Sequence, residues 1–456
     1  PTLMVSHFYK VQTQRVSIVE PIPMDEVLKE ITGKSFGCTA VINDEGNFVG
    51  IITDGDIRRK LMDGITINDS ISNCSNSNFI KAKSDTPREL LLKQLDHKIK
   101  VIPILDLDDQ LISIVSKDFI PEKKEQKVFA RAKSPVRISF GGGGSDISSY
   151  FSENKAAVIN ATISLYSHAT LKIRDDEKIC LSSLDLNDSI EFDNIEQLNT
   201  YIGKFSLIVS VIRAVNPSFG FELFLYSDFP MSSGLGGSAV VTSSILGCFN
   251  QFRNDQWDKH DISEIAFQSE RLHMGIAGGW QDQYATVFGG LNFMEFNPGQ
   301  NVITPIRLNS ETVVELEESL LLCYTGITHD SGNIHSDQKE QTKSVKVKDR
   351  IQSNVDLTYE MRNHLLRGRL NDFGNCIHKA WELKRGFSSK ISNPWLDEMY
   401  NGAIQNGAIG GKILGAGGGG YFLFYVPAFE RNKLMNWVQT KGMICTPFVF
   451  ENQGLQ

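Results

Sequence analysis

Short apolar runs come in pairs between residues 38 and 116, and a polar turn separates the members of each pair. The first turn is Asn43–Asn47 and the second is Asp106–Gln110. Apolar runs flanking such turns predict β-hairpins, and a helical pattern precedes each hairpin. The predicted elements are Met24–Thr32, Cys38–Ile42, Phe48–Thr53, Pro87–Leu95, Val101–Leu105 and Leu111–Ser116. The repeated order predicts two related units that share one core.

Longer elements follow the charged stretch Pro121–Lys133, which is the best candidate for a linker. Alternating polar and apolar residues predict strands over Val128–Phe140, interrupted at Pro135. Further strands are predicted over Phe221–Phe229, Leu320–Tyr324 and Tyr421–Val426. Helices are predicted over Val240–Phe252, Asp261–Met274, Ile351–Gly368 and Asn371–Arg385. We therefore expect one domain over residues 1–125 and two lobes over 126–305 and 306–456.

Composition narrows the function classes. The 456 residues include 46 Lys and Arg against 54 Asp and Glu, for a net charge of -8 without a basic block, so nucleic acid is not an expected partner. The sequence has neither an apolar run long enough to span a bilayer nor a signal-peptide pattern, so we expect no membrane association. The seven cysteines form no Cys-x-x-Cys pair, which favours a reducing, cytoplasmic location.

Three glycine-rich loops follow or precede predicted strands. Pro230–Ala239 joins a strand to a helix, an arrangement in which backbone N–H groups and the helix dipole bind anions. Ser238 lies where the helix is expected to begin, so its hydroxyl is expected either to cap the helix or to reach a phosphate-bound Mg²⁺. The other loops are Gly141–Asp146 and Gly415–Gly420. Together they predict a phosphate-handling site.

Charged residues near these loops are the candidates for chemistry. Glu270 lies on a predicted helix, and Asp282 lies among apolar and glycine residues that are unusual around a surface acid. A helix cap or a buried salt bridge remains an alternative for Asp282. Lys384 and Lys390 belong to a basic cluster that either meets an anionic ligand or forms a solvated helix end.

The ordered motifs Pro135–Asp146, Pro230–Ala239, Gly278–Gln283 and Gly415–Gly420 resemble those of the GHMP kinase superfamily over residues 126–456. Within it they are most similar to the heptose 7-phosphate kinases. The resemblance implies a mixed α/β and α+β chain with a two-lobed GHMP kinase fold. Gly237 replaces the first serine of the usual glycine-serine motif of the superfamily.

The resemblance also implies ATP and Mg²⁺ as cofactors and assigns roles residue by residue. Ser238 and Glu270 would hold Mg²⁺, Asp282 would accept or orient the proton of the sugar hydroxyl, and Arg137 would neutralise Asp282 and the phosphoryl group. The expected ATP-binding residues are Pro230, Ser233, Gly234, Leu235, Gly236, Gly237, Ser238 and Ala239. The expected third-motif residues are Gly415, Gly417, Gly418 and Gly419. The expected substrate residues are Gly143, Gly144, Ser145, Asp146, Lys384 and Lys390.

Residues 16–120 resemble a tandem CBS (Bateman) pair, most clearly in the stretch 50–59. The resemblance implies an adenine nucleotide site with Thr53 on phosphate and Asp56 on ribose. A CBS pair that serves only packing or dimerisation is an equal alternative, and a homodimer is one option for the assembly.

The sequence therefore predicts a sugar kinase with a small-molecule sugar phosphate as substrate. The resemblance implies transfer to the anomeric hydroxyl of D-glycero-D-manno-heptose 7-phosphate, which would yield the 1,7-bisphosphate for nucleotide-heptose and surface polysaccharide synthesis. A kinase for another sugar, such as fucose, is one alternative. A nucleotide-sensing CBS protein with an inactive kinase lobe is the other.

Overall fold

The computed structural model describes residues 38–42, 48–66, 79–83, 86, 88–96, 98–106, 108–116, 128–275, 278–327, 334, 337, 341 and 344–456. The chain divides into two compact units, Pro1–Gln126 and Lys127–Gln456. The predicted helix Met24–Thr32 and the turn after Ile42 lie outside the described residues. Within the described ranges, no helix is both long and apolar enough to cross a membrane.

The first unit contains the two predicted hairpins. Its elements are β1 Cys38–Ile42, β2 Phe48–Thr53, α1 Asp54–Met62, β3 Ala82–Lys83, α2 Arg88–Gln94, β4 Val101–Leu105 and β5 Leu111–Ser116. β1 pairs antiparallel with β2, and β4 pairs antiparallel with β5, so both predicted hairpins are confirmed. Ile51 of β2 and Ile114 of β5 pack in one apolar cluster, as the predicted shared core requires.

The second unit is larger and contains two sheets. Its strands are β6 Phe129–Gly141, β7 Ala156–Ile173, β8 Ile179–Ser183, β9 Asp188–Phe192, β10 Phe221–Ser227, β11 Leu291–Phe296, β12 Asn301–Pro305, β13 Leu320–Tyr324, β14 Gly410–Ile413, β15 Tyr421–Tyr425 and β16 Ile444–Thr446. Its helices are α3 Ser148–Phe151, α4 Ile195–Asn199, α5 Ser206–Val215, α6 Gly237–Asn250, α7 Lys259–Gln268, α8 Gln281–Phe288, α9 Ser310–Ser319, α10 Val345–Leu366, α11 Leu370–Arg385, α12 Pro394–Gln405 and α13 Ala428–Thr440. A π-helical segment, Ser269–His273, continues α7.

The first sheet has seven strands in the order β12-β11-β7-β10-β8-β9, with β6 also paired to β7. The 18-residue β7 pairs with β11 along its first half and with β10 along its second half. The predicted interruption at Pro135 is a register shift within the continuous strand β6. Proline lacks the N–H group that regular pairing needs, so the ladder slips there and β6 continues to the glycine loop.

The second sheet is antiparallel, in the order β14-β15-β13-β16. Helices α10 and α11 pack between the two sheets through fully buried side chains. Phe373 of α11 contacts Phe140 of β6 edge to face, with 5.2 Å between ring centroids, and Leu423 of β15 belongs to the same cluster. This shared core holds together the strand ends from which the glycine loops emerge.

Candidate active site

Two of the glycine loops pack directly against each other. A Cβ atom at Gly234 would lie 2.7 Å from the carbonyl oxygen of Leu414, and one at Gly420 would lie 2.3 Å from that of Ser233. The backbone N–H of Tyr421 donates to the Ser233 carbonyl at 3.1 Å. The backbones approach too closely for any side chain, so the loop 230–239 is held by the loop 415–420.

Helix α6 begins at Gly237, earlier than predicted, and Gly236 is its N-cap with a φ of 78°. Of the two alternatives for the Ser238 hydroxyl, the helix cap is wrong, because no side chain caps this end and the hydroxyl donates to Glu270 Oε2 at 2.6 Å. The first N–H groups of α6 therefore have no side-chain cap and can bind an anion. A Cβ atom at Gly237 would lie 3.1 Å from the Phe229 ring, so glycine fits this position better than serine.

Glu270 lies in the π-helical segment and is fully buried. Its carboxylate accepts hydrogen bonds from Ser238 and from Gln283 Nε2, the latter at 3.0 Å, and Arg271 Nη1 lies 3.6 Å away. Burial raises the pKa of Glu270, although the charge of Arg271 and the two hydrogen bonds oppose this. The buried carboxylate would gain from a cation beside it.

These residues fit a Mg²⁺ ion. The Ser238 hydroxyl and the Glu270 carboxylate are hard oxygen ligands, and Gln283 Oε1 is a buried acceptor that has no hydrogen-bond partner among the described residues. Across the described ranges, no group of three His, Cys, Asp or Glu side chains is placed to hold a metal by itself. Phosphate oxygens would therefore have to complete the coordination shell, as is usual for nucleotide-bound Mg²⁺.

Arg137 and Asp282 form a bidentate pair. Arg137 Nε and Nη2 each donate to an Asp282 carboxylate oxygen at 2.8 Å, and Nη1 donates to the Gly234 carbonyl at 2.7 Å. β6 supplies the arginine, and the first turn of α8 supplies the aspartate. A Cβ atom at Gly236 would lie 3.3 to 3.4 Å from both side chains. The Arg137–Asp282 pair therefore lies directly beside the loop 230–239, which is the candidate for phosphate binding.

Asp146 closes the other side of the site. It is 3% exposed, and its carboxylate accepts backbone hydrogen bonds from Gly144 and Gln281, both at 3.2 Å. Burial and the nearby charge of Asp282 raise the pKa of Asp146. A Cβ atom at Gly279 would lie 1.9 Å from Asp146 Oδ2, so glycine is required there.

Two buried lysines supply positive charge. Lys384, at the end of α11, donates to the Gly415 carbonyl, and burial together with the charge of Arg137 lowers its pKa to about 8. Lys412 of β14 donates to the Phe140 carbonyl at 3.3 Å, and burial, Lys384 and Arg137 hold its pKa well below the usual value. Burial is the main cause of both shifts, and a buried ammonium group is stabilised by an anionic partner.

Several of the groups described above line one cleft. It is lined by Arg137, Ser139, Gly143, Gly144, Asp146, Ile147, Arg271, Gly279, Gln281, Asp282, Lys384, Phe387 and Gly415. The lining residues that were not among the predicted site residues are Ser139, Ile147, Arg271, Gly279, Gln281 and Phe387. Two of them could have been identified from the sequence. Ser139 lies two residues from Arg137 and so on the same face of a strand, and Gln281 is the neighbour of Asp282.

Some predicted residues lie outside the cleft. The Ser145 hydroxyl is buried and donates to the Gly142 carbonyl at 2.8 Å, so it secures the loop instead of facing a substrate. Lys390 is exposed and lies 3.9 Å from Asp337, away from the lining. Gly417, Gly418 and Gly419 pack their backbones against Ile391 and Ile327. In the loop 230–239, Pro230 is exposed, whereas Leu235 and Ala239 are buried.

In the first unit, Thr53 and Asp56 bond to each other. Thr53 is the N-cap of α1, and Asp56 accepts from both the Thr53 N–H at 2.9 Å and the Thr53 hydroxyl at 2.6 Å. Burial would raise the pKa of Asp56, but the bonds from Thr53 and Arg59 lower it. Both candidate nucleotide ligands thus form a capping box, and binding would have to replace these bonds.

Comparison with known families gives matches within both units. A model described as GHMP kinases N terminal domain matches residues 206–290, one described as GHMP kinases C terminal matches residues 361–432, and a CBS domain model matches residues 7–63.

Similar proteins match the chain over a large part of its length. The chain is 33% identical over 332 residues to D-glycero-alpha-D-manno-heptose 7-phosphate kinase of Campylobacter jejuni, across 72% of this chain and 98% of that protein. It is 29% identical over 325 residues to L-fucokinase/L-fucose-1-P guanylyltransferase of Bacteroides fragilis, but spans only 34% of that protein. The crystal structure of a D-glycero-D-manno-heptose 1-phosphate kinase from Bacteroides thetaiotaomicron matches with a TM-score of 0.60 at 27% identity, over 72% of this chain and 97% of that one.

Proposed function

The chain belongs to the GHMP kinase family, and we propose that it phosphorylates the anomeric hydroxyl of a sugar phosphate with ATP. The proposed acceptor is D-glycero-D-manno-heptose 7-phosphate, and the proposed product is the 1,7-bisphosphate. The activity as a phosphotransferase on a sugar hydroxyl follows from the family. The acceptor is supported by the heptose 7-phosphate kinase relative, which aligns over nearly its whole length.

The observation that carries the proposal is the position of the Arg137–Asp282 pair. Gly236, the N-cap of the uncapped helix α6, lies against both side chains. A phosphate bound at the start of this helix would therefore lie beside a carboxylate that can orient an acceptor hydroxyl. Phosphoryl transfer requires this juxtaposition and little covalent participation by the protein.

In the proposed mechanism, the N–H groups at the start of α6 bind the ATP phosphates. Ser238 and Glu270 would hold Mg²⁺, which neutralises charge on the phosphate oxygens when bound. The acceptor oxygen attacks the γ-phosphorus, the bond to the β-phosphate oxygen breaks, and ADP leaves. Asp282 orients the hydroxyl and takes its proton late in the step, while Arg137 keeps the carboxylate in position and offsets the developing charge.

Acceptor binding is assigned to the side of the cleft that contains Asp146 and Lys384. Asp146 would accept a hydrogen bond from a sugar hydroxyl, and Gly143 and Gly144 would leave room for the ring. The Lys384 ammonium would bind the phosphate already present on the sugar. Burial disfavours the charged form of this lysine, and an anionic phosphate beside it would stabilise that form. The product would feed a nucleotidyl-transfer reaction for nucleotide-heptose and surface polysaccharide synthesis.

The CBS unit is proposed to bind an adenine nucleotide through Thr53 and Asp56 and thereby to regulate the kinase. Calorimetry of AMP and ATP on the full chain tests this proposal against an Asp56→Asn variant. Binding to the CBS unit should weaken in that variant, whereas ATP binding at the kinase site should not change. Identical isotherms for both chains would contradict the proposal.

An acceptor panel tests the kinase proposal. ADP release from the purified chain with ATP and Mg²⁺ is measured for D-glycero-D-manno-heptose 7-phosphate, L-fucose, D-galactose and a blank without acceptor. We expect the highest kcat/KM for the heptose phosphate. The fucokinase relative supports a second candidate, a fucose-type 1-kinase, and a preference for L-fucose would establish that candidate instead. Release no faster than the blank for every acceptor would indicate an inactive kinase lobe.

A further inference from the structure

Two buried polar side chains line the cleft without a role in the mechanism above. Ser139 is 5% exposed and Gln281 is 8% exposed. Within the described part of the chain, Ser139 Oγ and Gln281 Oε1 have no hydrogen-bond partner. An unpaired polar atom in a protein interior is costly, so two of them in one cleft require an explanation.

Both side chains face the same small space above Gly143. A Cβ atom at Gly143 would lie 3.7 Å from Gln281 Nε2 and 3.9 Å from Ser139 Oγ. These are ordinary contact distances, and Gly143 is not among the glycines with a positive φ. Neither backbone geometry nor a close contact therefore requires glycine at this position. The missing side chain leaves space between two hydrogen-bonding groups.

We propose that Ser139 and Gln281 bind one hydroxyl group of the acceptor sugar in the space above Gly143. This inference rests on the proposed function, since it concerns the acceptor of that reaction. A sugar hydroxyl offers one donor and two acceptor sites. Gln281 Nε2 and the Ser139 hydroxyl, the two groups within 4 Å of this space, can each donate to it, and the Ser139 oxygen can accept from it.

The position of the pair separates its role from the chemistry. Ser139 lies two residues from Arg137, on the same face of β6, and Gln281 immediately precedes Asp282. The bound hydroxyl would therefore lie next to the reacting one, but neither side chain bonds to Asp282 among the contacts of the described residues. A site built to pair a hydroxyl discriminates strongly against an analogue that lacks it. Ser139 and Gln281 thus determine acceptor specificity.

Ser139→Ala and Gln281→Met test the proposal. Each substitution removes the polar group at nearly constant side-chain volume. The hydrogen bond from the backbone N–H of residue 281 to the Asp146 carboxylate is retained. We expect the acceptor KM to rise roughly 3- to 15-fold in each variant, with the KM for ATP unchanged. The melting temperature should stay equal or rise, because a buried unpaired group has been removed.

The matched control is Ser243→Ala. Ser243 lies in α6, is fully buried, and has a hydroxyl that is likewise unpaired within the described residues, but it does not line the cleft. Its replacement should leave both KM values at the wild-type level. A set of monodeoxy acceptors provides a second readout. One deoxy position should weaken binding to the wild-type chain but no longer weaken it in Ser139→Ala or Gln281→Met.

The measurement uses the acceptor that the wild-type chain phosphorylates fastest. Unchanged acceptor KM values and an unchanged deoxy profile in both variants would overturn the inference while leaving the proposed function intact, and would indicate that water satisfies the two groups. A wild-type chain without activity on any acceptor would overturn the proposed function and this inference with it.

Discussion

Replacing Asp282 with asparagine removes the carboxylate charge but keeps the shape of the side chain. In the wild-type chain this carboxylate accepts two bonds of 2.8 Å from Arg137, whose side chain is 5% exposed. The variant retains an amide oxygen for one of these bonds, and Arg137 retains its bond to the Gly234 carbonyl. The substitution therefore separates the chemical role of the charge from the position of the loop.

The structure allows the two effects to be compared. Removing one partner of a fully buried ion pair costs about 3–5 kcal/mol of unfolding free energy. Asp282 is 21% exposed and one hydrogen bond survives, so we expect about 1–2 kcal/mol here and a melting temperature lower by about 2–6 °C. Loss of a group that takes the acceptor proton costs about 10²–10⁴-fold in kcat, or about 3–5 kcal/mol in barrier height. The kinetic effect should exceed the effect on stability.

The assay is steady-state ADP release with the sugar phosphate, alongside calorimetric titration with ATP. We expect the ATP affinity of Asp282→Asn to stay within about threefold of wild type, because the Asp282 carboxylate accepts its hydrogen bonds from Arg137, whereas ATP is assigned to the N–H groups at the start of α6. Asp176→Asn is a matched control. Asp176 also forms a bidentate pair, with Arg174 at 2.6 and 2.7 Å, but at an exposed position outside the cleft.

A kcat within tenfold of wild type in Asp282→Asn would refute the assignment of Asp282 to the acceptor proton. An equal loss of turnover in Asp176→Asn would refute the reasoning in another way. It would show that turnover follows the integrity of ion pairs in general instead of the charge at this site.

Three further substitutions test the metal site, the binding of the acceptor phosphate and the contact between Gly279 and Asp146. Glu270→Gln should raise the Mg²⁺ concentration for half-maximal turnover at least about tenfold, measured by Mg²⁺ titration of ADP release and of ADP binding. Burial is the main reason that the pKa of Lys384 is lowered to about 8, so the amine is charged below that pH and neutral above it. The kcat/KM for the sugar phosphate should therefore fall as the pH rises through 8, and Lys384→Arg should abolish this fall in the same pH profile. Gly279→Ala should raise the acceptor KM at least about tenfold, because its Cβ would displace the Asp146 carboxylate, whereas Gly299→Ala meets nothing within 4 Å.

Each of these expectations has a contradicting result. An unchanged Mg²⁺ requirement in Glu270→Gln would remove Glu270 from the metal site. A fall in kcat/KM that persists in Lys384→Arg would assign the titration to another group. Equal acceptor KM values for Gly279→Ala and Gly299→Ala would show that the contact with Asp146 does not position the acceptor site.

Features with a short local pattern could be predicted from the sequence. The apolar run Leu320–Tyr324 is a strand with the predicted bounds. Both hairpins of the first unit were predicted with the observed strands. The glycine loops were predicted because consecutive glycines at a strand end have few purposes other than close approach of a backbone or ligand.

Features that depend on the phase of a helix could not be predicted. The helix predicted over Asp261–Met274 ends at Gln268 and continues as a π-helical segment that contains Glu270. One extra residue in a turn rotates the following side chains, and apolar spacing does not report it. The start of α6 was misplaced for a related reason, since glycine at the N-cap carries no capping side chain and Ser238 matched the usual pattern.

Long-range placement was the other limit. Arg137 and Asp282 are 145 residues apart in the chain, and only the resemblance to a family suggested their pairing. Ser139 and Gln281 lie inside the motifs Pro135–Asp146 and Gly278–Gln283, but no role was predicted for them, because a serine in a strand and a glutamine at a helix start are common for structural reasons. Lys390 was expected beside Lys384, but it lies on the exposed side after the helix has ended. Its distance from the cleft depends on how the chain turns beyond α11.

The most direct test of the central claim is the position of the new phosphate. The chain is incubated with ATP, Mg²⁺ and D-glycero-D-manno-heptose 7-phosphate labelled with ¹³C at C1, and the product is followed by ¹³C and ³¹P NMR. We predict that a new C1 resonance appears, split by coupling to the phosphorus newly attached at O1, and that its intensity grows in proportion to the ADP released. A product with an unsplit C1 resonance, or no product that depends on ATP, would contradict the account.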